Sequence, residues 1–475
     1  YNEIPGPKTY ALTMNFLPRG RYYNLKMVDV HRKLRDEYGD IVKLPGILGR
    51  SDIVLIFDPN DMEKVYRSEG AYPIRQSFEV MEYYRKVIRP DVFKGYGGIA
   101  LDQGEQWWKI RTSVNQVLLQ PRNVRLYLSN IDTIALRFMQ ILQNTQNENG
   151  ETTDNFTQEL NKWALETIGV IALDTRLGVL DEHLSSEAKL VIKSVRTLFN
   201  NTFKLEILPS IWKYYKVPAF KKLMIAFDNL TEIIMKYINE AVVRIETKPK
   251  LNENEKSILE KLLQKQKEIA IVMAFDMLLA GIDTTSSAIT GILYCLAMNP
   301  EKQQKLREEV LKILPSKDTP ITAQGIKNAP YLRAVIKEGI RMYPPIYANY
   351  RGSGADLVLK GYHIPKNTNI LMASEYNQKF DNFPEADKFI PERWLKVTDC
   401  PIKKDTHPFA YLPFGFGVRM CIGRRLALQE IEVLLLRMTR NFHIEWASKS
   451  PLTCIVSLIN IPNNDVKFKL RNILN

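Results

Sequence analysis

Apolar residues recur at helical spacing through most of this 475-residue chain, and strand-like patterning is confined to three stretches. These are Ile41 to Phe57, Asp356 to Leu371 and Ile455 to Leu470, with Pro462, Asn463 and Asn464 marking a late hairpin turn. Two of the three lie near the chain ends and one lies after the middle. The pattern therefore predicts a mainly α protein with a small mixed β lobe, gathered from about 1–70, 350–375 and 455–475, beside a larger helical lobe. The most apolar stretch, Ile269 to Met298, is interrupted by Asp276 and Asp283, which predicts a buried core helix and not a membrane span. Leu428, Ile431, Leu435 and Met438 recur at helical spacing after Cys421, so that helix is expected to bury one face.

There is no internal repeat or low-complexity linker, and residues 1–475 read as one catalytic domain. The length exceeds the roughly 250 to 300 residues at which a single core stops growing, which fits a large lobe with a smaller one attached. A hydrophobic content of 45% excludes disorder. With 66 basic and 53 acidic residues the formal charge is +13, which suits an acidic protein partner or an anionic membrane surface, and nothing favours nucleic acid. Four unpatterned cysteines exclude a secreted disulfide framework and point to a reducing compartment. The chain opens at Tyr1, and no run of about eighteen apolar residues lies near that point, so neither an anchor nor a spanning helix is expected there. A trimmed or processed start is the corresponding expectation.

The segment Phe414 to Gly423, F-G-F-G-V-R-M-C-I-G, sets Cys421 in a glycine-loosened loop directly before a helix. Gly415, Gly417 and Gly423 are expected to let backbone amides approach the sulfur, while Arg419 and the helix N-terminus favour a thiolate. Zinc would need several such ligands. Cys295, Cys400 and Cys454 all lack C-x-x-C spacing to Cys421, so a single-thiolate centre such as haem fits better.

The pattern F-x-x-G-x-R-x-C-x-G resembles the haem-binding loop of the cytochrome P-450 monooxygenases, with Phe414, Gly417, Arg419, Cys421 and Gly423 on its defining positions. Other motifs of that family follow in order across most of the chain. The resemblance implies a cytochrome P-450 fold, with haem b (iron protoporphyrin IX) between the central helix and the cysteine loop. Cys421 would be the axial ligand of the haem iron. Ala280-Gly281-Ile282-Asp283-Thr284-Thr285 matches the family's A-G-x-D/E-T-T motif. Gly281 costs that helix about 1 kcal/mol relative to alanine, and a local opening for dioxygen and water is the expected reason. Asp283 and Thr284 would then handle protons. Trp107 and Arg111 form the W-x-x-x-R pair that the resemblance places against a haem propionate, and Arg351 occupies a second propionate position. Glu338 and Arg341, with Arg393 of the later P-E-R segment, match a triad that braces the approach to the cysteine loop.

Within the family the chain is most similar to invertebrate mitochondrial members, which take electrons from an acidic 2Fe-2S ferredoxin. Arg333 and Lys337 match the docking pair of that class, with arginine where a second lysine is common, and Arg424 and Arg425 follow Cys421. The resemblance implies a mitochondrial enzyme, peripheral on the matrix side of the inner membrane, oxidising a small lipophilic substrate, xenobiotic or steroid-like. Family position alone gives the pocket candidates Phe78, Ile99, Met277, Ala280 and Leu458. The segment Phe203 to Phe220, with Ile207, Leu208, Trp212, Tyr214 and Tyr215 among basic residues, is either an access lid that dips into a membrane or an ordinary amphipathic loop and helix. Two other functions stand beside monooxygenation: a haem-thiolate isomerase or dehydratase, and a non-catalytic haem sensor.

Overall fold

The helix Lys267–Met298 forms the axis of the larger lobe and is buried on every side along Ile269 to Phe275 and Thr285 to Leu296, as an all-round apolar helix must be. Among the described residues it is also the only helix long and apolar enough to cross a membrane, and here it is core. The computed structural model describes residues 1–46, 51–75, 78–207, 210–247, 252–395 and 406–473. Helix Phe156–Leu173 runs against the central helix, and helices Pro218–Thr247, Pro330–Met342 and Arg424–Asn441 pack around it. Gly281 lets Ile168 of Phe156–Leu173 pack against the central helix. A Cβ at that position would stand 3.0 Å from Ile168 Cγ1, so the missing side chain has a packing reason.

The smaller lobe is built on four strands, β1 (Ile41–Leu44), β2 (Ile53–Ile56), β3 (Asn349–Gly352) and, further along the chain, Asn369–Met372. Between β3 and the last of these lies the hairpin β4 (Leu357–Leu359) and β5 (Tyr362–Ile364), which makes Asn369–Met372 β6. The sheet order is β1-β2-β6-β3, antiparallel except for the parallel pair β2–β6, whose register sets Ile53 opposite Asn369 and Ile56 opposite Met372. Alternation divides its side chains cleanly. Ile41, Val54, Ile56, Ile370 and Met372 enter one apolar cluster with Tyr66, while Val42 and Leu55 enter another with Leu34 and Tyr376.

The C-terminal segment does not extend this sheet. β8 (Cys454–Val456) and β9 (Asn460–Pro462) form a hairpin that turns at Ser457 to Ile459, so Pro462, Asn463 and Asn464 are not its turn. Asn463 and Asn464 instead fasten the chain back on Thr453, whose carbonyl takes the Asn463 N–H at 2.8 Å and whose N–H donates to Asn464 Oδ1 at 3.0 Å. β10 (Phe468–Asn472) then pairs with β7 (Phe442–Trp446), and Phe468 and Leu470 join the helical core. The stretches containing β3 and β7 carry no strand expectation. β3 reads Asn-Tyr-Arg-Gly with no apolar alternation, and β7 follows helix Arg424–Asn441 without a glycine or proline break.

Candidate functional site

Gly415 and Gly417 adopt φ of 71° and 74°, conformations that side chains disfavour, and these two turns bring the loop back on itself. The Cys421 N–H then donates to the Phe414 carbonyl at 2.9 Å, which is how Phe414 enters the loop. Only Gly423 sends its N–H to the Cys421 sulfur, and it also caps helix Arg424–Asn441. Burial pushes the Cys421 thiol up, against the pull of that N–H and of Arg111, Arg424 and Arg75. The cations that pull most on the sulfur are therefore Arg111, Arg424 and Arg75. The thiol is deep in the protein and yet its surface is open, so it faces an internal space. No group of three potential metal-ligating side chains stands near it or elsewhere among the described residues, and Cys400 lies outside them.

Four guanidinium groups converge beside this space. Arg111 donates to the Met420 carbonyl at 2.6 Å, leaving its buried Nε without a partner. Arg419 donates to Pro73 O at 2.7 Å, Asp102 O at 3.0 Å and Gln103 Oε1 at 2.8 Å, leaving Nη1 unpartnered. Arg351, on β3, is already paired with Glu69 and lies 5.1 Å over the Tyr66 ring, a departure from the free propionate ligand expected there. The fourth, Arg75, went unnoticed in the sequence because Tyr72-Pro73-Ile74-Arg75 carries none of the motifs. Its Nη2 donates to Ala100 O at 3.1 Å. Burial and mutual repulsion bring Arg419 down to about 9, with Arg75, Arg351 and Arg111 each contributing, and Arg75 and Arg111 down to about 10. Trp107 is fully buried, but its indole N–H is taken by the Ile99 carbonyl at 3.2 Å, and its ring carries Arg419 at 4.0 Å. It braces an arginine and does not offer a free donor.

The central helix presents Ala280, exposed midway along it between two buried stretches, and remains regular α-helix through Gly281 and Thr284. The expected opening is thus absent, since Thr284 Oγ1 donates to Ala280 O at 2.7 Å and the glycine serves packing against Ile168. Asp283 does not share Thr284's direction: it bonds Asn161 on helix Phe156–Leu173, and burial raises its carboxyl to about 6. Thr285 Oγ1 lies 3.4 Å from Glu430 Oε2, so the helix that begins after Cys421 crosses the central helix beside Thr284. Burial holds Glu430 at about 8, and its Oε1 has no partner. Of the other pocket candidates, Met277 is packed in the helical core, Phe78 and Ile99 lie at its edge, and Leu458 sits half-buried in the β8–β9 turn.

Glu338, Arg341 and Arg393 meet as expected. Glu338 takes Arg341 Nη2 at 2.9 Å and Arg393 Nε at 3.0 Å on Oε1, and Arg341 Nε and Trp394 Nε1 on Oε2. Arg333 and Lys337 lie on helix Pro330–Met342, which packs against helix Arg424–Asn441 carrying Arg424 and Arg425. Lys337 is exposed, its Nζ 5.6 Å over the Trp394 ring, whereas Arg333 is half-buried and donates to Ile326 O at 2.7 Å. In the lid segment Trp212 is buried and stacked on Phe220, while Ile211, Tyr214 and Tyr215 are exposed. Among the described residues of the segment these three offer the exposed apolar surface, and Leu208 lies outside them.

A sequence profile of the cytochrome P-450 family matches residues 4–469. The chain is similar to the probable mitochondrial cytochrome P-450 12b2 of Drosophila melanogaster, at 43% identity over 99% of this chain and 89% of that protein. It is 42% identical to the cytochrome P-450 CYP12A2 of Musca domestica, over 100% of this chain and 91% of the relative. Mitochondrial cytochrome P-450 12b1 of Drosophila acanthoptera is also 42% identical, over 98% of this chain and 88% of its own length.

Proposed function

This chain belongs to the cytochrome P-450 family, and we propose that its residues serve a mitochondrial, ferredoxin-dependent enzyme acting on a lipophilic substrate. As a family member it is a monooxygenase whose cofactor is haem b. The residues present fit that group. A sulfur faces an internal space, four guanidinium groups stand there with one of them, Arg351, paired to Glu69, and two others keep buried N–H groups that propionates would complete. When bound, the haem supplies the centre at which dioxygen is reduced and one oxygen atom is passed to substrate. The open but deeply seated Cys421 sulfur is the observation that carries this reading.

In this proposal Cys421 would hold the haem iron through its thiolate sulfur, with the Gly423 N–H and the nearby arginines opposing the burial that pushes its thiol up. Arg75, Arg111 and Arg419 hold the propionate edge, Trp107 supports Arg419, and Arg351 acts through its pair with Glu69. Ala280 would leave room on the central helix; the Thr284 hydroxyl, which here donates to Ala280 O, would have to release that bond to pass a proton, and Asp283, held by Asn161, would supply one only by turning from that partner. Thr284→Ala is expected to keep substrate binding and reduction while diverting electrons from product to hydrogen peroxide. Product per NADPH should fall by up to about a hundredfold, and unchanged coupling in a peroxide assay would remove Thr284 from the proton path.

The electron donor is proposed to dock on Arg333, Lys337, Arg424 and Arg425, which lie on two helices that pack against each other. That two of the relatives are named mitochondrial supports the ferredoxin route and a mitochondrial location for this chain. The +13 charge and the exposed Ile211, Tyr214 and Tyr215 support peripheral contact with the matrix side of the inner membrane. Exposed charges are screened over about 8 Å at physiological salt, so ferredoxin-supported turnover should fall as ionic strength rises. Arg333→Glu with Lys337→Glu should raise the Michaelis constant for ferredoxin strongly and leave substrate-induced spectral shifts and peroxide-supported rates intact. A double variant that takes ferredoxin as well as the parent, or a parent that prefers a two-flavin reductase, overturns the donor assignment without touching the monooxygenase.

A further inference from the structure

Arg85 is a fully buried charge that the proposed chemistry does not use. Its Nη2 donates to Asp276 Oδ1 at 2.7 Å and its Nη1 to Gly97 O at 2.5 Å, with the guanidinium 5.3 Å over Phe93 and 4.9 Å over Phe275. Asp276 belongs to the central helix, one turn before Ala280, and interrupts its apolar run. The same carboxylate lies beside the Ile99 N–H, and its Oδ2 is otherwise without a partner. A buried ion pair is weak support for stability, because well-packed apolar residues of similar volume often serve as well or better. What such a pair provides is direction, and here it points at one loop.

That loop, residues 97–103, is seated directly on the pair. Gly98 has φ 92°, and a Cβ there would lie 2.5 Å from Val272 Cγ1, 2.7 Å from Asp276 Oδ2 and 2.8 Å from Arg85 Nη1. The loop also closes internally, with the Gly97 and Gly98 N–H groups both donating to Asp102 Oδ2 at 2.8 Å and Lys86 Nζ 3.0 Å from Asp102 Oδ1. Its outer end carries the arginines. Arg419 Nη2 bonds the Asp102 carbonyl at 3.0 Å, and Arg75 Nη2 bonds Ala100 O at 3.1 Å. Gln103 joins the two, its Oε1 accepting from Arg419 at 2.8 Å and from the Arg75 N–H at 3.1 Å while its Nε2 donates to Arg75 O at 2.6 Å.

We propose that Asp276 and Arg85 are positioning residues for the haem edge: the pair fixes residues 97–103 to the central helix, and the loop in turn sets the guanidinium groups of Arg75 and Arg419 at the propionates. The inference rests on the haem-edge assignment of Arg75 and Arg419 made above. The test is haem transfer from the holoenzyme to apomyoglobin, with parent, Arg75→Gln, Asp276→Asn and the double variant. Each single change should speed haem release by about 10- to 100-fold, the range for lost supporting contacts around a metal centre. The double variant should release haem no faster than the faster single, because both act through one loop. Release from Asp276→Asn at the parental rate, even with a lower unfolding temperature, overturns the inference and leaves a plain core ion pair. Fully multiplicative effects overturn it as well. If Arg75→Gln itself releases haem normally, the haem-edge assignment of Arg75 fails and takes the inference with it. Should Asp276→Asn not load haem, Arg85→Gln combined with Asp276→Asn, which strands no charge, is measured against the same criteria.

Discussion

Replacing Cys421 with alanine should abolish the red-shifted Soret band that the carbon monoxide complex of the reduced protein shows under thiolate ligation. Among the described residues no other cysteine is set in such a loop. Cys295 is buried within the central helix and Cys454 lies on β8, each with its thiol pushed up by burial. The loop geometry at 421 does not recur at either, since the two positive-φ glycines and the Gly423 N–H belong to one turn. The expected result is complete loss of the band, with any residual haem giving the shorter-wavelength spectrum of a non-thiolate complex. A variant that retains both haem and the original band would assign the ligand to another cysteine and end the central assignment.

Arg341→Ala should cost about 3–5 kcal/mol of folding stability, the range for stranding one member of a buried ion pair. Glu338 and Arg341 are both 0% exposed, so no water is available to replace the lost guanidinium. Arg341 does more than neutralise Glu338: its Nη1 donates to Gln378 O and Ala386 O, each at 2.8 Å, and its Nη2 to Lys388 O at 3.2 Å. Arg393 fastens the same stretch through Pro384 O and Glu385 O. The triad is therefore a clamp between helix Pro330–Met342 and residues 378–393, and its removal should lower the yield of haem-loaded protein before it alters turnover per haem. Arg341→Lys should rescue little, because a single ammonium cannot reproduce the planar fork. Urea unfolding and haem content measure the outcome. A loss below about 1 kcal/mol, the scale of an exposed pair, would mean that the triad is not a brace.

The parts of the site legible in the sequence are those whose geometry is local. Glu338 and Arg341 meet because i and i+3 share a helix face, and the cysteine loop is readable because positive φ leaves few residues other than glycine. The helical lobe was visible for the same reason, as apolar spacing along one segment reports burial of that segment. Gly281 shows the limit. Its position in the motif was plain, but whether it opens the helix or admits a neighbour depends on Ile168, more than a hundred residues earlier. The motifs singled out Trp107 and Arg351 but not the partners that the fold gives them, Ile99 and Glu69.

By itself, then, the sequence determined the family, the haem-thiolate chemistry, the central helix, the small β lobe and the identity of the cysteine that serves as ligand candidate. Tertiary structure alone decided which charges surround that cysteine. Arg75 and Glu69 reach the arginine cluster from a segment without a motif, Asp276 finds Arg85, and Glu430 finds Thr285, each pair joined across a long stretch of chain. It also decided the direction of Asp283, turned to Asn161 and away from Thr284, and the pairing of β10 with β7. The physical reason is one of range. Backbone conformation and helical spacing act over a few residues and are written in order along the chain, whereas burial and electrostatic partnership depend on which distant segments the folded core brings within a few ångströms.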